Sequence, residues 1–405
     1  MTTRLYYDDP YLATFDASVT AIEPRGDRAI VALDRTAFYP TSGGQPFDTG
    51  TLGGFRVVDV VDRDDGVIEH VVNLELRTEN LELSPGAAVS GAIDWARRFD
   101  HMQQHTGQHV LSAAFERLFH VRTVSFHLGA EGSTIDLARD VTQAELTAAG
   151  QDANRVVWED RPVTIRYATE AEAAAMPLRK EPKRGGTLRL VDVADYDLSA
   201  CGGTHVSRTG AIGVIAMAGW ERFKGGARIE FLCGGRALAR FGALRDCVTA
   251  ATRLLSVTTA ELPPTIERMQ AEAKEQKRSI AALQTELARF RAEELAASAD
   301  AKQLSDGSQA RVVARTLDAD ANTLKSRALA IASRPGFVVV LVSSATPSLV
   351  VVARSTDVGG VNAQQVLARL VGEFGGRGGG KAELAQGGGL NGAADAILNA
   401  SATLL

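Results

Sequence analysis

Two short stretches of this chain carry residue types that do metal chemistry, His105-Thr-Gly-Gln-His109 and Cys201-Gly-Gly-Thr-His205. On a helix, positions i and i+4 share a face, so His105 and His109 can grip one ion together. Around Cys201 the glycines Gly202 and Gly203 allow a tight turn that brings a thiolate and the His205 imidazole to one point. Three nitrogens and one sulfur suit tetrahedral zinc. Four protein ligands describe a closed structural site, whereas catalysis keeps a position for water or substrate. With an open position, zinc lowers the pKa of bound water to about 7 and polarises an ester carbonyl. Alternatively the ion holds a substrate amino group or hydroxyl, and the spacing does not choose between these roles. His101 lies four residues before His105 on the same face, which is one imidazole too many for a tetrahedral set, so one of the histidines belongs to the outer shell. Cys233 and Cys247 lack ligand neighbours and read as core residues.

The elements that must position these groups follow from periodicity. Phe99, Met102, Val110, Leu111, Ala114, Phe115 and Leu118 recur at helical spacing, predicting a helix over 97–119 that carries the histidines. From 121 to 235 strands and helices mix. Val121–Leu128 and Ser133–Leu137 form a hairpin, Thr142–Trp158 a helix and Val163–Ala168 a strand. Glu170–Pro177 is a short helix. Leu188–Val193 and Ile212–Gly219 bracket the cysteine turn, and Arg228–Leu232 closes an α+β region. Before it, residues 1 to about 95 read as short β elements (Ser18–Ile22, Arg28–Leu33, Gly54–Asp62, Val67–Val72) punctuated by Asp-Gly and Gly-Gly turns, suggesting a small barrel or sandwich. Phe38-Tyr-Pro-Thr-Ser-Gly-Gly-Gln-Pro46 within it is a rigid loop between strands by its prolines and glycines.

Arg236 to about Ala301 is one long helical stretch interrupted near Pro263-Pro264. Ile266, Met269, Ala273, Ile280, Leu283, Leu287 and Phe290 make a narrow apolar seam, the pattern of a helical hairpin or of a coiled coil with a second copy. Lys302–Gly307 reads as a polar linker. Residues 310–405 form an α/β unit with helices 318–333, Asn362–Phe374 and Gly392–Ala400 and strands Phe337–Val342 and Leu349–Arg354. Gly375–Gly389 between them reads as a glycine-rich loop. It is no Walker motif, yet bare amides beside Arg377 and Lys381 make a phosphate cradle. The expected architecture is therefore α+β and multidomain. It places a barrel over 1–95, a zinc domain over 96–235, a helical segment over 236–305 and a glycine-rich C-terminal domain over 306–405.

Composition narrows the setting. A net charge of −5 gives no general attraction to nucleic acid, though a local patch can still bind phosphates. Arg179, Lys180, Lys183, Arg184 and Arg189 form such a patch, or else a solvated charged loop. Three cysteines in 405 residues argue against a disulfide framework and for a reducing compartment. The apolar runs are too short to span a bilayer, and a cytoplasmic location is expected.

With these motifs in order, the chain resembles the editing domain of alanyl-tRNA synthetase and its freestanding relatives, the AlaX proteins. The resemblance rests on His105–His109, on Cys201–His205, on the loop Phe38–Pro46, and on Gly375–Gly389, which looks like part of a DHH-associated domain. The barrel begins near the N-terminus, so the long AlaX form is expected rather than a synthetase. The resemblance implies zinc-dependent hydrolysis of the ester on mischarged tRNA for alanine, chiefly seryl and also glycyl. His105, His109, Cys201 and His205 become the zinc ligands and His101 a non-ligand. The residue that senses the serine hydroxyl is Thr123 or Ser125. By analogy Thr41, Ser42 and Gln45 contact the adenosine end, the patch at Arg179, Lys180, Lys183 and Arg184 tracks the acceptor stem, and Arg377 and Lys381 meet the outer tRNA. A homodimer through the helical segment or the C-terminal domain is a further expectation. The alternatives are a non-catalytic tRNA-binding protein stapled by zinc and a deacylase for another mischarged aminoacyl-tRNA.

Overall fold

The histidine helix grows out of a closed barrel. In the computed structural model, which describes residues 1–77, 83–179 and 186–405, six antiparallel strands close on one another in the order Thr14–Arg25, Arg28–Leu33, Ile68–Arg77, Phe55–Asp62, Gly50–Leu52 and Ala88–Ile93. Alternation along the strands turns Phe15, Val19, Val31, Leu33, Val57, Val60 and Val72 inward, where Phe38 of the glycine-rich loop joins them. The α+β multidomain class expected from the sequence is the class observed.

One polar side chain sits fully inside this barrel. His70 is fully buried: its Nδ1 lies 3.0 Å from the Val31 carbonyl and its Nε2 2.8 Å from Thr36 Oγ1, so Nδ1–H donates and Nε2 accepts. Burial pushes its pKa down from 6.5 to about 4, against a smaller upward pull from the Val31 carbonyl. Between those two values only the unfolded chain takes up the proton, so stability falls as pH falls, by about 3 kcal/mol for this group. Urea titrations at pH 7.5 and 4.5 should show His70→Gln losing roughly that much less on acidification than the parent protein.

Asp94 caps the helix Trp95–Phe119 by accepting from the Arg97 amide, and His120 ends it in the left-handed region at φ 55°. The helix is buried along most of its length. On one side it meets the antiparallel sheet ordered Ile215–Phe223, Gly226–Cys233, Ser133–Leu137, Thr123–Leu128. The helix Gln143–Trp158, with a capping box between Thr142 and Glu145, packs into the same core. A second sheet, Val163–Ala168, Leu188–Val193, Asp197–Ala200, carries the cysteine turn at its end. The last of these strands is four residues long and was not expected from the sequence.

The chain divides into two compact units, Met1–Ala251 and Thr252–Leu405. The expected break at Pro263-Pro264 lies elsewhere. Gly234–Leu255 and Leu262–Ala297 are separate helices, divided at Ser256 (φ 53°), and the prolines open the second helix rather than interrupt it. Proline's missing N–H is harmless in a first turn, where that donor has no helical partner. In the second unit the end of this helix packs Ala292 and Ala296 against a six-stranded sheet. Further up, Ile280, Leu283, Leu287 and Phe290 stay 53–64% exposed.

The sheet runs Asp300–Gln303, Gln309–Leu317, Phe337–Ser343, Ser348–Arg354, Leu384–Leu390, Arg377–Gly380. Two expectations fail here. The supposed polar linker is a strand and tight turn, because Leu304 is buried and Asp306 turns the chain by accepting from the Ser308 amide. The supposed loop is an edge hairpin, Gly378 facing Gly387 and Gly379 facing Gln386, so the amides turned toward Leu384–Leu390 serve a β ladder. Arg377 and Lys381 remain exposed on it.

Candidate metal centre and its cavity

The helix and the cysteine turn bring His105, His109, Cys201 and His205 together, with one ligand atom from each inside a sphere where all pairs lie within 4.8 Å. Cys201 Sγ is 3.4 Å from His105 Nε2 and 3.3 Å from His205 Nε2. His101 stays outside the cluster; it is buried, with Nδ1 unpartnered and its pKa pushed down to about 4 by burial and then by the charge of Arg97.

The outer shell shows that these imidazoles are set up as ligands. His105 Nδ1 donates to Gln45 Oε1 at 2.8 Å, and that oxygen is identified as the acceptor because the Thr204 amide also donates to it. His109 Nδ1 donates to Asp197 Oδ2 at 3.0 Å. His205 Nδ1 lies 3.2 Å from Thr106 Oγ1, whose own proton is spent on the Met102 carbonyl, so the ring donates there too. Each ring therefore carries its proton on Nδ1 and aims an Nε2 lone pair at the thiol. Three imidazoles with fixed tautomers and one thiol fit a tetrahedral metal.

Charge agrees with that geometry. Burial would raise the Cys201 thiol, yet positive charge on the side of His105 and His205, where a metal cation would be held, keeps it well below its usual value. Burial and the neighbouring His105 push His205 down to about 3, the neutral form that a ligand needs. Asp197 lies far below the carboxylate range: Arg179, 2.5 Å away, and His109 outweigh its burial. Asp197→Asn keeps the shape but halves the acceptor capacity, and is expected to weaken metal binding about 10–100-fold, read by chelator-competition titration.

Two glycines make the assembly possible. A Cβ on Gly203 would overlap the His105 ring, and one on Gly44, at φ 86°, would come within 2.8 Å of Phe126. Arg189 holds the cysteine turn from below, donating to the carbonyls of Cys201 (2.7 Å) and Gly203 (3.0 Å).

A cavity of about 130 Å³ opens beside the cluster, lined among others by Gly43, Gln108, His109, Thr123, Arg179 and Cys201. It is smaller than the roughly 300–1,000 Å³ of drug-sized sites, on the scale of a small acyl group. A larger cavity of about 490 Å³ lies on the outer sheet face between Trp220, Arg228 and Glu230, and no metal-ligand cluster adjoins it among the described residues.

The other expected site residues divide. Thr123 and Ser125 both border the cavity, but the Ser125 hydroxyl donates to Asp136, itself paired with Arg228 on the outer face. Thr123 instead donates to Ser112 Oγ at 2.8 Å. Gln45 is wholly buried and spent on His105 and Thr204, so it orients a ligand rather than meeting RNA. Thr41 and Ser42 are exposed on the same turn. Arg179 and Arg189 turn inward to Asp197 and the cysteine turn, which removes them from the cationic patch; Lys180, Lys183 and Arg184 lie outside the described residues. Asp197, Thr106 and Ser112 were missed. The one signal for Asp197 was the alternation Asp-x-Ser-x-Cys leading into the cysteine turn.

Barrel, metal cluster and C-terminal sheet together are the parts of an alanyl-tRNA synthetase-type editing module. Family models match in the same order: tRNA synthetases class II (A) over residues 6–97, the threonyl and alanyl tRNA synthetase second additional domain over 188–230, and the DHHA1 domain over 308–405. The alanyl-tRNA editing protein AlaX-L of Pyrococcus horikoshii is 31% identical over 96% of this chain and 94% of its own length. Alanine–tRNA ligases of Pyrococcus abyssi (33%) and Methanothrix thermoacetophila (35%) match 95% and 96% of this chain, which spans only 42% and 43% of theirs. The chain belongs to the AlaX-L family of alanyl-tRNA editing proteins. Among the described residues no helix is long and apolar enough to cross a membrane.

Proposed function

We propose that this protein is a deacylase acting in trans on tRNA for alanine that carries the wrong amino acid, chiefly serine and also glycine, with zinc held by His105, His109, Cys201 and His205. The observation that carries this is the pre-set cluster, opening on a cavity too small for a drug-sized ligand, in a chain that matches an editing protein along nearly its whole length. Zinc bound there supplies Lewis acidity toward an ester carbonyl or a substrate heteroatom.

The chain's own residues do the rest. Gln45, Asp197 and Thr106 hold the three imidazoles in one tautomer. Thr123 spends its proton on Ser112 and so offers lone pairs to a hydroxyl in the cavity. An alanine methyl cannot use them, which spares the correctly charged product. That contact does not tell glycine from alanine. Thr41 and Ser42, exposed on the turn whose Gly43 lines the cavity, meet the terminal adenosine in this reading. Lys180, Lys183, Arg184, Arg377 and Lys381 supply phosphate contacts.

The test offers the purified protein seryl-, glycyl- and alanyl-tRNA for alanine, with and without a chelator. Release of serine that stops on metal removal, with the alanyl ester spared, is expected. Equal loss of all three esters, or of none, overturns the proposal; binding of tRNA without any hydrolysis would leave a metal-stapled RNA-binding protein.

A further inference from the structure

One buried acceptor in the cavity has no use in the deacylase reading as it stands. Gln108 occupies the fourth position of the histidine motif, on the helix face of His105 and His109, and is 2% exposed. Its Nε2 donates to Ser112 Oγ at 2.8 Å. Its Oε1 is buried with no hydrogen-bond partner, although Gln108 lines the cavity with His109, Thr123 and Cys201. A buried carbonyl left unpaired is costly, and such groups call for a specific explanation.

Ser112 gives the arrangement its sense. The same Oγ accepts from Gln108 Nε2 and from Thr123 Oγ1. The amide has thereby spent its donor end on Ser112, and the threonine has spent its only proton there. Both side chains are left as acceptors, tied through one atom. The cation Arg179, which also lines the cavity, is bound to Asp197. Two such acceptors in one cavity suit a ligand that carries hydrogen-bond donors.

We propose that Gln108 Oε1 accepts a hydrogen bond from the α-ammonium of the aminoacyl group, while Thr123 meets the side-chain hydroxyl. The inference rests on the deacylase reading and deepens it. In a seryl ester the ammonium and the hydroxyl hang from adjacent carbons, matching two acceptors joined through a single oxygen. An alanyl ester carries the same ammonium, so Gln108 does not choose between amino acids. It selects aminoacyl esters with a free α-amino group, and it excludes N-acylated esters, including those of peptidyl-tRNA, whose amide nitrogen is neutral and substituted.

The test uses the metal-loaded full chain and three non-hydrolysable probes bearing an amide at the 3′ position of 3′-deoxyadenosine: L-seryl, N-acetyl-L-seryl and 3-hydroxypropionyl, the last lacking the amino group. Calorimetry should give the seryl probe about tenfold tighter binding than either of the others. Gln108→Leu should remove that advantage while leaving 3-hydroxypropionyl binding and metal content unchanged; Gln108→Met serves if the leucine variant does not fold. Equal weakening of all probes marks a packing role and overturns the assignment, as does no change for any. If the parent protein hydrolyses seryl-tRNA but the variant's preference is unaltered, Gln108 alone is misassigned. If the parent neither hydrolyses seryl-tRNA nor binds the seryl probe, the deacylase reading itself fails.

Discussion

Replacing Arg98 with methionine is expected to cost about 3–5 kcal/mol of stability, the penalty for leaving one member of a buried ion pair alone. Arg98 and Asp48 are both fully shielded from solvent and meet at 2.5 Å. The guanidinium spends all its groups: Nε on both Asp48 oxygens, one terminal nitrogen on the Pro10 carbonyl, the other on Ala37 and again on Asp48. Asp48 in turn takes the Tyr39 amide at 2.6 Å. The pair thus clamps both flanks of the loop that carries Gln45 onto the helix that carries His105. Removing the arginine strands a carboxylate and frees two backbone carbonyls, those of Pro10 and Ala37, at once. Urea denaturation of Arg98→Met measures the loss, and the double variant with Asp48→Asn should recover part of it, because then neither charge is left buried.

Cys201→Ala is expected to have the largest effect on the metal. Altering a residue behind a ligand weakens binding about 10–100-fold, and deleting a ligand should exceed that. The cysteine is the one member of the set that can be anionic, and its Sγ lies 3.3 and 3.4 Å from two imidazole Nε2 atoms. Without it three neutral nitrogens would remain. Metal content after dialysis should fall from one ion per chain to a small fraction, and deacylation with it. The fold should survive at neutral pH, since Cys201 packs only against the edge of the hydrophobic core of Met102, Leu111, Phe115 and Phe231, and alanine keeps its Cβ there. If the variant keeps its full metal content, the assigned cage is wrong.

Much of this site was legible in the sequence because two i, i+4 pairs fix ligands locally, one by helical periodicity and one by a glycine turn. Helix and hairpin positions followed from apolar spacing for the same reason. What escaped was non-local or too short to have a period. Asp197 sits on a strand of four residues, and Gln45, between Gly44 and Pro46, was assigned to the adenosine end by the resemblance rather than by its own surroundings. Its bonds to His105 and Thr204, partners 60 and 159 residues away, explain why that side chain is inside. Arg179 and Arg189 counted as surface charge until Asp197 and the carbonyls of the cysteine turn supplied partners. In the second unit the glycine run mimicked a loop, since a strand without side chains has no alternation to read.

The orientation of the three imidazoles bears on how this protein can be taken apart. Gln45 lies 60 residues before His105, and Asp197 lies 88 residues after His109. A fragment cut to begin at Trp95 would retain all four donor atoms and look intact as a motif. It would still have lost the group that sets the His105 tautomer and the counter-charge of Arg98. The barrel is therefore no detachable handle: anyone transplanting this cage onto another scaffold must carry the loop Ala37–Asp48 with it, or rebuild its two contacts from new residues.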